Sequence, residues 1–237
     1  HDAQLLLTAS PLLAVNKAVQ PTITTSEEHR GVKYLKTGTV EQPILAKTGD
    51  GICIDWGYLY MPAINGEVAI CKVNQLRQQF TSNGQIPEGD QRVVAQKPSE
   101  SPVLAYRHDF GRVSQGASYA LIGYDEIEDI EYFYKRYKGY WAHEGSVSIF
   151  DMFQRMNREY SNIMNRCRQL DKQIYDDGVK VGNQHYAEVL SASYRHVIAA
   201  HKLFRDDEGN LLFFSKENNS NGCVNKVDLT YPEAPLF

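Results

Sequence analysis

The stretch SIFDMFQRMNREYSNIMNRCRQLDKQIYDDG, residues 148–178, decides how this chain is organised. Ile149, Phe153, Met156, Tyr160, Ile163, Cys167, Leu170 and Ile174 recur at alternating spacings of four and three. That period places them on one face of a long helix. Ser148, with Asp151 three residues on, reads as a capping box, and Gly178 stands where a glycine follows the last turn. A second stripe, from Tyr186 through Val189, Leu190, Tyr194, Val197 and His201 to Phe204, predicts another helix over about 183–204. The short connection between them makes the pair antiparallel. Two helices leave both apolar faces largely uncovered. The pair is therefore expected to need more helices, and the apolar ending Pro235-Leu236-Phe237 reads as a chain that stops inside such a domain.

Upstream the texture changes to short strands punctuated by Gly, Pro and Asn, which predicts a sandwich rather than βαβ units. Gln4–Ala9, Gly31–Leu35, Thr39–Ala46, Val93–Gln96, Pro102–Asp109 and Ser118–Ile122 read as strands, and Leu76–Phe80 as a helical turn. Asn65-Gly66, between the runs 52–61 and 68–73, predicts a tight hairpin joining them, because that dipeptide accepts two positive φ values. The acidic run Asp125 to Glu131 predicts a helix start, where carboxylates suit the positive end of the helix dipole. Tyr140–Gly145 reads as the linker out of the β part. The expected class is α+β: a β-sandwich-like region over 1–143, then helices over 144–237.

Composition removes several function classes. A net charge of -4 and a pI near 6.0 lack the concentrated basic face that a phosphate backbone requires, so nucleic acid is not an expected partner. No apolar run approaches the roughly 18 residues of a membrane span. Cys53, Cys71, Cys167 and Cys223 form no C-x-x-C pair and read as structural thiols, although their number does not exclude a disulfide. His196 and His201 are five apart and do not share a helix face, so no metal site and no cofactor are expected. Nucleotide-binding glycine loops, a G-x-S-x-G elbow and H-E-x-x-H are all absent from the sequence.

The densest polar constellation runs from Ser215 to Asp228. Lys216, Glu217, Asn218, Asn221 and Asp228 combine a cation, two carboxylates and amides around a permissive Gly222. Such a set can hold a water between carboxylates for general acid–base work. It can equally form a solvated turn with local side-chain hydrogen bonds. Asp55-Trp56-Gly57, with Tyr58 and Tyr60, is the second candidate: an apolar wall with a polar tip, or a packing residue at the edge of a sandwich.

Several of these stretches resemble the glutaminase A-like family, the large secreted type of fungi with bacterial relatives. The resemblance is carried by His1-Asp2-Ala3-Gln4, Trp56-Gly57 and Tyr194–Leu203. Above all it rests on Leu212–Asn218 running through Ser220–Cys223, then Val227-Asp228, Thr230-Tyr231-Pro232 and Ala234–Phe237. It implies a β-sandwich followed by an incomplete (α/α) toroid similar to six-hairpin glycosidases. It also implies hydrolysis of the side-chain amide of L-glutamine to glutamate and ammonia, in an extracellular or periplasmic setting. On that resemblance Glu217 and Asp228 are the candidate catalytic carboxylates, with Lys216, Asn218, Asn221, Asp55 and Trp56 as candidate substrate-binding groups. The expected partners are a small-molecule substrate and the remainder of the same polypeptide, and this piece alone is expected to be inactive. A toroid with paired carboxylates is also the equipment of glycosidases, and fold does not fix function. A carbohydrate-active hydrolase and a non-catalytic binding module therefore stand as alternatives.

Overall fold

A polar strand that the sequence hides organises the first half of the molecule. In a computed structural model that describes residues 2–47, 49–51, 53–143, 147–216 and 222–233 (side chains of 229, 232 and 233 apart), Thr22–His29 (β2) pairs along its whole length with Val32–Thr39 (β3). The TITTSEEH sequence of β2 has no apolar alternation. Its inward positions are Thr22 and Thr24, both about 1% exposed, and they satisfy their hydroxyls inside the sandwich. Thr24 Oγ1 lies 2.8 Å from Thr37 Oγ1, and Thr22 pairs with the Ser101 hydroxyl. Hydrogen-bonded threonines thus do what aliphatic residues do elsewhere in the core.

The chain divides into two compact units, His1–Ala46 with Cys53–Glu128, and Lys47–Ile52 with Asp129–Phe237. In the first unit, Asp2–Ala9 (β1), Tyr58–Pro62 (β4), Glu67–Cys71 (β5), Arg92–Ala95 (β6), Val103–Arg112 (β7) and Gly123–Asp125 (β8) complete two open sheets, ordered β1-β7-β5 and β6-β2-β3-β4-β8. Every pairing is antiparallel. Leu35, Leu59 and Met61 from one sheet meet Val68, Ile70, Leu104 and Tyr106 from the other in a single buried cluster. The opposite face of the three-stranded sheet (Ala69, Cys71, Val103, Ala105) is covered by Leu76 of helix Val73–Asn83 (α1). Arg107, nearly buried, fastens the end of that helix: its Nε donates to Gly84 O at 2.5 Å and its Nη2 to Asp109 Oδ2 at 2.6 Å.

The expected Asn65-Gly66 hairpin does not form. β4 pairs with β3 and β8, whereas β5 pairs with β7, so residues 63–66 carry the chain from one sheet to the other. Only Asn65 takes a positive φ, of 59°. The two flanking runs meet through their side chains across the core, a relationship that alternation alone cannot distinguish from backbone pairing. Of the remaining expected strands, Thr39–Ala46 stops at Thr39, and Ser118–Ile122 is irregular, with β8 starting at Gly123.

The acidic run Asp125–Glu131, of which residues 125–128 belong to the first unit and 129–131 to the second, is not a helix. Its chain turns at Ile127 (φ 65°), whose N–H is held by Asp125 Oδ1 at 2.9 Å, and then forms the hairpin Ile130–Tyr132 (β9) and Lys135–Tyr137 (β10). Phe133 and Tyr134 make its turn with φ of 47° and 65°. Asp129 is spent on a buried ion pair with Lys202 (3.0 Å) and on the Gly139 N–H (2.6 Å), so it is unavailable to cap a helix.

The long helix spans Ile149–Val181 (α2) and begins on the predicted capping box, with Asp151 N donating to Ser148 Oγ at 3.2 Å and Ser148 N to Asp151 Oδ2 at 3.1 Å. It does not end at Gly178. That glycine lies inside α2, where a Cβ would come within 2.8 Å of Ala187 Cα on the next helix, Gln184–Ala199 (α3). Gly178 therefore sets the close approach of the pair. α3 is shorter than its apolar stripe suggested, because His201–Arg205 is a strand (β11) paired with Leu211–Ser215 (β12). Met156, Leu170, Tyr186, Val189 and Ile198 on the pair are between 40% and 64% exposed. No described helix is long and apolar enough to cross a membrane.

Candidate active site

The β11–β12 hairpin is built around aromatic side chains. Phe204 is fully buried; Phe214 lies edge-on to it at 5.2 Å, with Tyr132 at 6.1 Å and Tyr137 at 5.4 Å. Such offset and edge contacts add to the burial of each ring. At the turn, Asp206 accepts from the backbone N–H groups of Glu208 (3.0 Å) and Asn210 (2.8 Å) and from Asn210 Nδ2 (2.9 Å). These bonds, the Asn210 side chain first, hold the Asp206 carboxyl below its usual range.

β12 runs directly into the polar constellation. Lys216 N donates to Ala200 O at 2.8 Å, which fixes the strand's exit against the end of α3. The chain then returns alongside: Lys216 forms a β-bridge with Val224, and Asn225 N donates to Ser215 O at 2.8 Å. Asn225 makes this reversal with φ of 54°, a conformation that asparagine tolerates better than most residues. Ser215 is buried, with its Oγ 2.9 Å from Thr230 Oγ1, and Thr230 in turn donates to Asn225 Oδ1 at 3.1 Å. Thr230 belongs to the short helix Val227–Glu233 (α4), whose first turn carries Asp228. Asp228 is exposed, and its Oδ2 is 3.8 Å from Lys226 Nζ.

Lys216 thus stands at the base of the reversal, beside Val224, whereas Asp228 lies beyond it on the exposed first turn of α4. Glu217, Asn218 and Asn221 lie outside the described residues. Ser215, Asn225 and Thr230, the residues that close the loop, carry no chemistry of their own and drew no attention as functional groups in the sequence. An asparagine just ahead of a short helix is the one signal that marked a reversal there. A further partner is remote in sequence: Gly222 N donates to Gly49 O at 3.2 Å, within the segment Lys47–Ile52 that belongs to this second unit.

Asp55 and Trp56 belong to the first unit and are structurally committed there. Asp55 is 1% exposed; its Oδ2 accepts from Gln20 Nε2 at 2.9 Å, and its carbonyl accepts from Thr39 Oγ1 at 2.7 Å. Gln20 Oε1 in turn receives the N–H groups of Asn16 and Lys17, both at 2.8 Å. The Trp56 indole N–H is spent on Glu128 O at 3.0 Å, and its carbonyl accepts from Tyr124 Oη at 2.7 Å. This geometry clamps the 55–57 backbone and leaves the Asp55 carboxylate inaccessible to a ligand in solution. Nearby, burial pushes the Tyr60 and Tyr124 phenols well above their usual range, so neither supplies a phenolate near neutral pH. Among the described residues, no three His, Cys, Asp or Glu side chains group as metal ligands do.

Comparison with known proteins fits this arrangement. Residues 1–177 match the family model described as a domain of unknown function, DUF5127, and residues 183–237 match the glutaminase A six helical-hairpin domain. The protein named Glutaminase A from Aspergillus oryzae is 27% identical over 172 residues, covering 68% of this chain and 24% of that relative. The chain thus accounts for about a quarter of the relative's length. No solved structure matches. The chain belongs to the glutaminase A-like family, with a DUF5127 region leading into a stretch of the six helical-hairpin domain.

Proposed function

We propose that this chain is part of an amidohydrolase that releases ammonia from the side chain of L-glutamine, acting outside the cytoplasm. The observation that carries the proposal is the position of the closed polar loop: it lies within the 183–237 stretch that matches the glutaminase A six helical-hairpin domain. The relative named Glutaminase A supports the same reading.

In this proposal one of Glu217 and Asp228 takes a proton from water while the water oxygen attacks the amide carbon. Lys216 and the Asn218 and Asn221 amides stabilise the oxyanion that develops, because fixed donors act strongly where charge appears in the transition state. The second carboxyl, protonated at the start, gives its proton to the departing nitrogen as the C–N bond breaks. Glutamate and ammonia leave, and the two carboxyl groups exchange a proton to restore the starting state. Asp55 and Trp56 contribute by holding their own stretch of the first unit. The exposed apolar residues of α2 and α3 support further helical partners from the same polypeptide, as a six-hairpin domain requires.

The test is a paired assay of the whole polypeptide, measuring ammonia from L-glutamine and reducing sugar from oligosaccharides. Ammonia without sugar supports the proposal. Sugar without ammonia replaces it with a glycosidase.

A further inference from the structure

We propose that the open edge of β1 is a docking site for an extended strand supplied by the same polypeptide from outside residues 1–237. The three-stranded sheet β1-β7-β5 faces a five-stranded one, so one side of the sandwich is two strands short. The shortfall shows in the side chains. Leu7 stands opposite Tyr106 and Ala9 opposite Leu104, and Ala9, Tyr106 and Leu104 all belong to the core between the sheets. Alternation puts Leu5 on that same side, whereas Leu6 packs on the side covered by α1. Leu5 and Leu7 are nevertheless 47% and 36% exposed, because the sheet stops beside them. A further strand about 4.8 Å beyond β1 would cover both leucines and pair the open backbone groups in one step.

The other sheet edges of this unit are short or covered. At β5 the chain turns back on its own edge: Asp90 N donates to Ile70 O at 2.9 Å, and a Cβ at Gly89 would lie 2.9 Å from that same carbonyl. β6 has four residues and β8 three, too short to template much pairing. β1 has eight, DAQLLLTA, with neither lysine nor proline, and its one bulge falls near the start, between Ala3 and Gln4. Among the described residues, none pairs through its backbone with the outer edge of β1. Natural sheets keep an edge from pairing with short strands, lysine, proline or bulges, and Gln4–Ala9 carries none of these. Supply and concentration identify the occupant. The match to the relative named Glutaminase A spans only 24% of that protein, so a polypeptide of that size offers ample further chain. A strand tethered to the sheet acts at an effective concentration on the order of millimolar, which a second copy does not reach in dilute solution. Its side chains are apolar at alternate positions, beside Leu5 and Leu7.

The docking is independent of what the protein hydrolyses, and it is tested in the whole polypeptide without turnover. Successive N–H groups of a strand point to its two edges in turn, so pairing with β7 alone protects alternate amides. Hydrogen exchange resolved by residue should instead find every amide from Leu5 to Ala9 slow, within about tenfold of its neighbours. An alternation of slow and fast amides overturns the proposal. A photoreactive benzophenone side chain in place of Leu5 identifies the occupant. Illumination should join it to a peptide of the same chain outside residues 1–237, with no doubling of mass. A crosslink to a second copy, to another protein or only within residues 1–237 overturns the proposal, as does no crosslink at all. The double variant Leu5→Lys with Leu7→Lys should undock the strand, quickening exchange at the outward amides of β1 by about tenfold or more while β7 keeps its protection. Unchanged exchange in the folded double variant overturns the proposal, and if that variant does not fold, the exchange pattern and the crosslink in the parent decide it.

Discussion

Replacing Phe204 with alanine should cost the second unit a large part of its stability. Phe204 is 0% exposed, and its ring contacts Tyr132, Tyr137 and Phe214 at centroid distances of 5.2–6.1 Å. Removing a buried phenyl ring loses its transfer free energy and leaves a cavity, together about 3–5 kcal/mol, and the lost ring contacts place this site toward the upper end. Whole domains are stable by only about 5–15 kcal/mol. The chain contains two tryptophans, and Trp141 is the one in the second unit, so urea titration of its fluorescence in a Trp56→Phe background follows that unit. The midpoint should fall by about 1–3 M for a slope of about 1.5–3 kcal/mol per molar. Because Phe204 sits on β11 and β12 leads into Lys216, exchange at the Lys216 amide should rise in parallel. A loss below about 1 kcal/mol would show that these rings do not form a packed core, and the hairpin could not then be what positions the polar loop.

Three other outcomes follow from the geometry. Gly178→Ala should lower the melting temperature measured by circular dichroism, because overpacking against Ala187 costs about 1–3 kcal/mol and exceeds the roughly 1 kcal/mol gained in helix propensity; a higher melting temperature would refute the close approach. Asp129→Ala should destabilise by about 3–5 kcal/mol in denaturant unfolding, since it removes the carboxylate that pairs with the partly buried Lys202 ammonium and accepts from the Gly139 N–H; a loss under 1 kcal/mol would argue against a desolvated pair. Asp109 has its carboxyl held below the usual value of 3.8, first by the Gly111 N–H and then by Arg107. A depressed folded pKa gives stability that is present above the unfolded value and lost as pH falls through the folded one. Melting temperature should therefore drop on acidification below about pH 4, and Asp109→Asn should flatten that part of the profile.

The helical half was legible because its signals are local. The four-and-three spacing from Ile149 to Ile174 and the Ser148–Asp151 box need only neighbouring residues, and both appear where expected. Errors arose where a long-range partner overrode local preference. Asn65-Gly66 reads as a hairpin until β7 claims β5 and β3 claims β4. The stripe that ran on through His201 and Phe204 turned to strand because Phe204 packs against Phe214 across a ladder that only the later residues define. β2 was invisible because its buried positions are threonines satisfied by partners 13 and 79 residues away. The candidate loop was legible as a set of residue types, but its closure by Ser215, Asn225 and Thr230 was not, since those residues act through geometry.

The most direct test of the account compares ammonia release from L-glutamine by the whole polypeptide with that of its Glu217→Gln and Asp228→Asn variants. Both should bind glutamine with KM near that of the parent and lose about 100-fold or more in kcat, as expected when a general acid or base is removed. Two variants that turn over glutamine at the parental rate would contradict the assignment of chemistry to this loop.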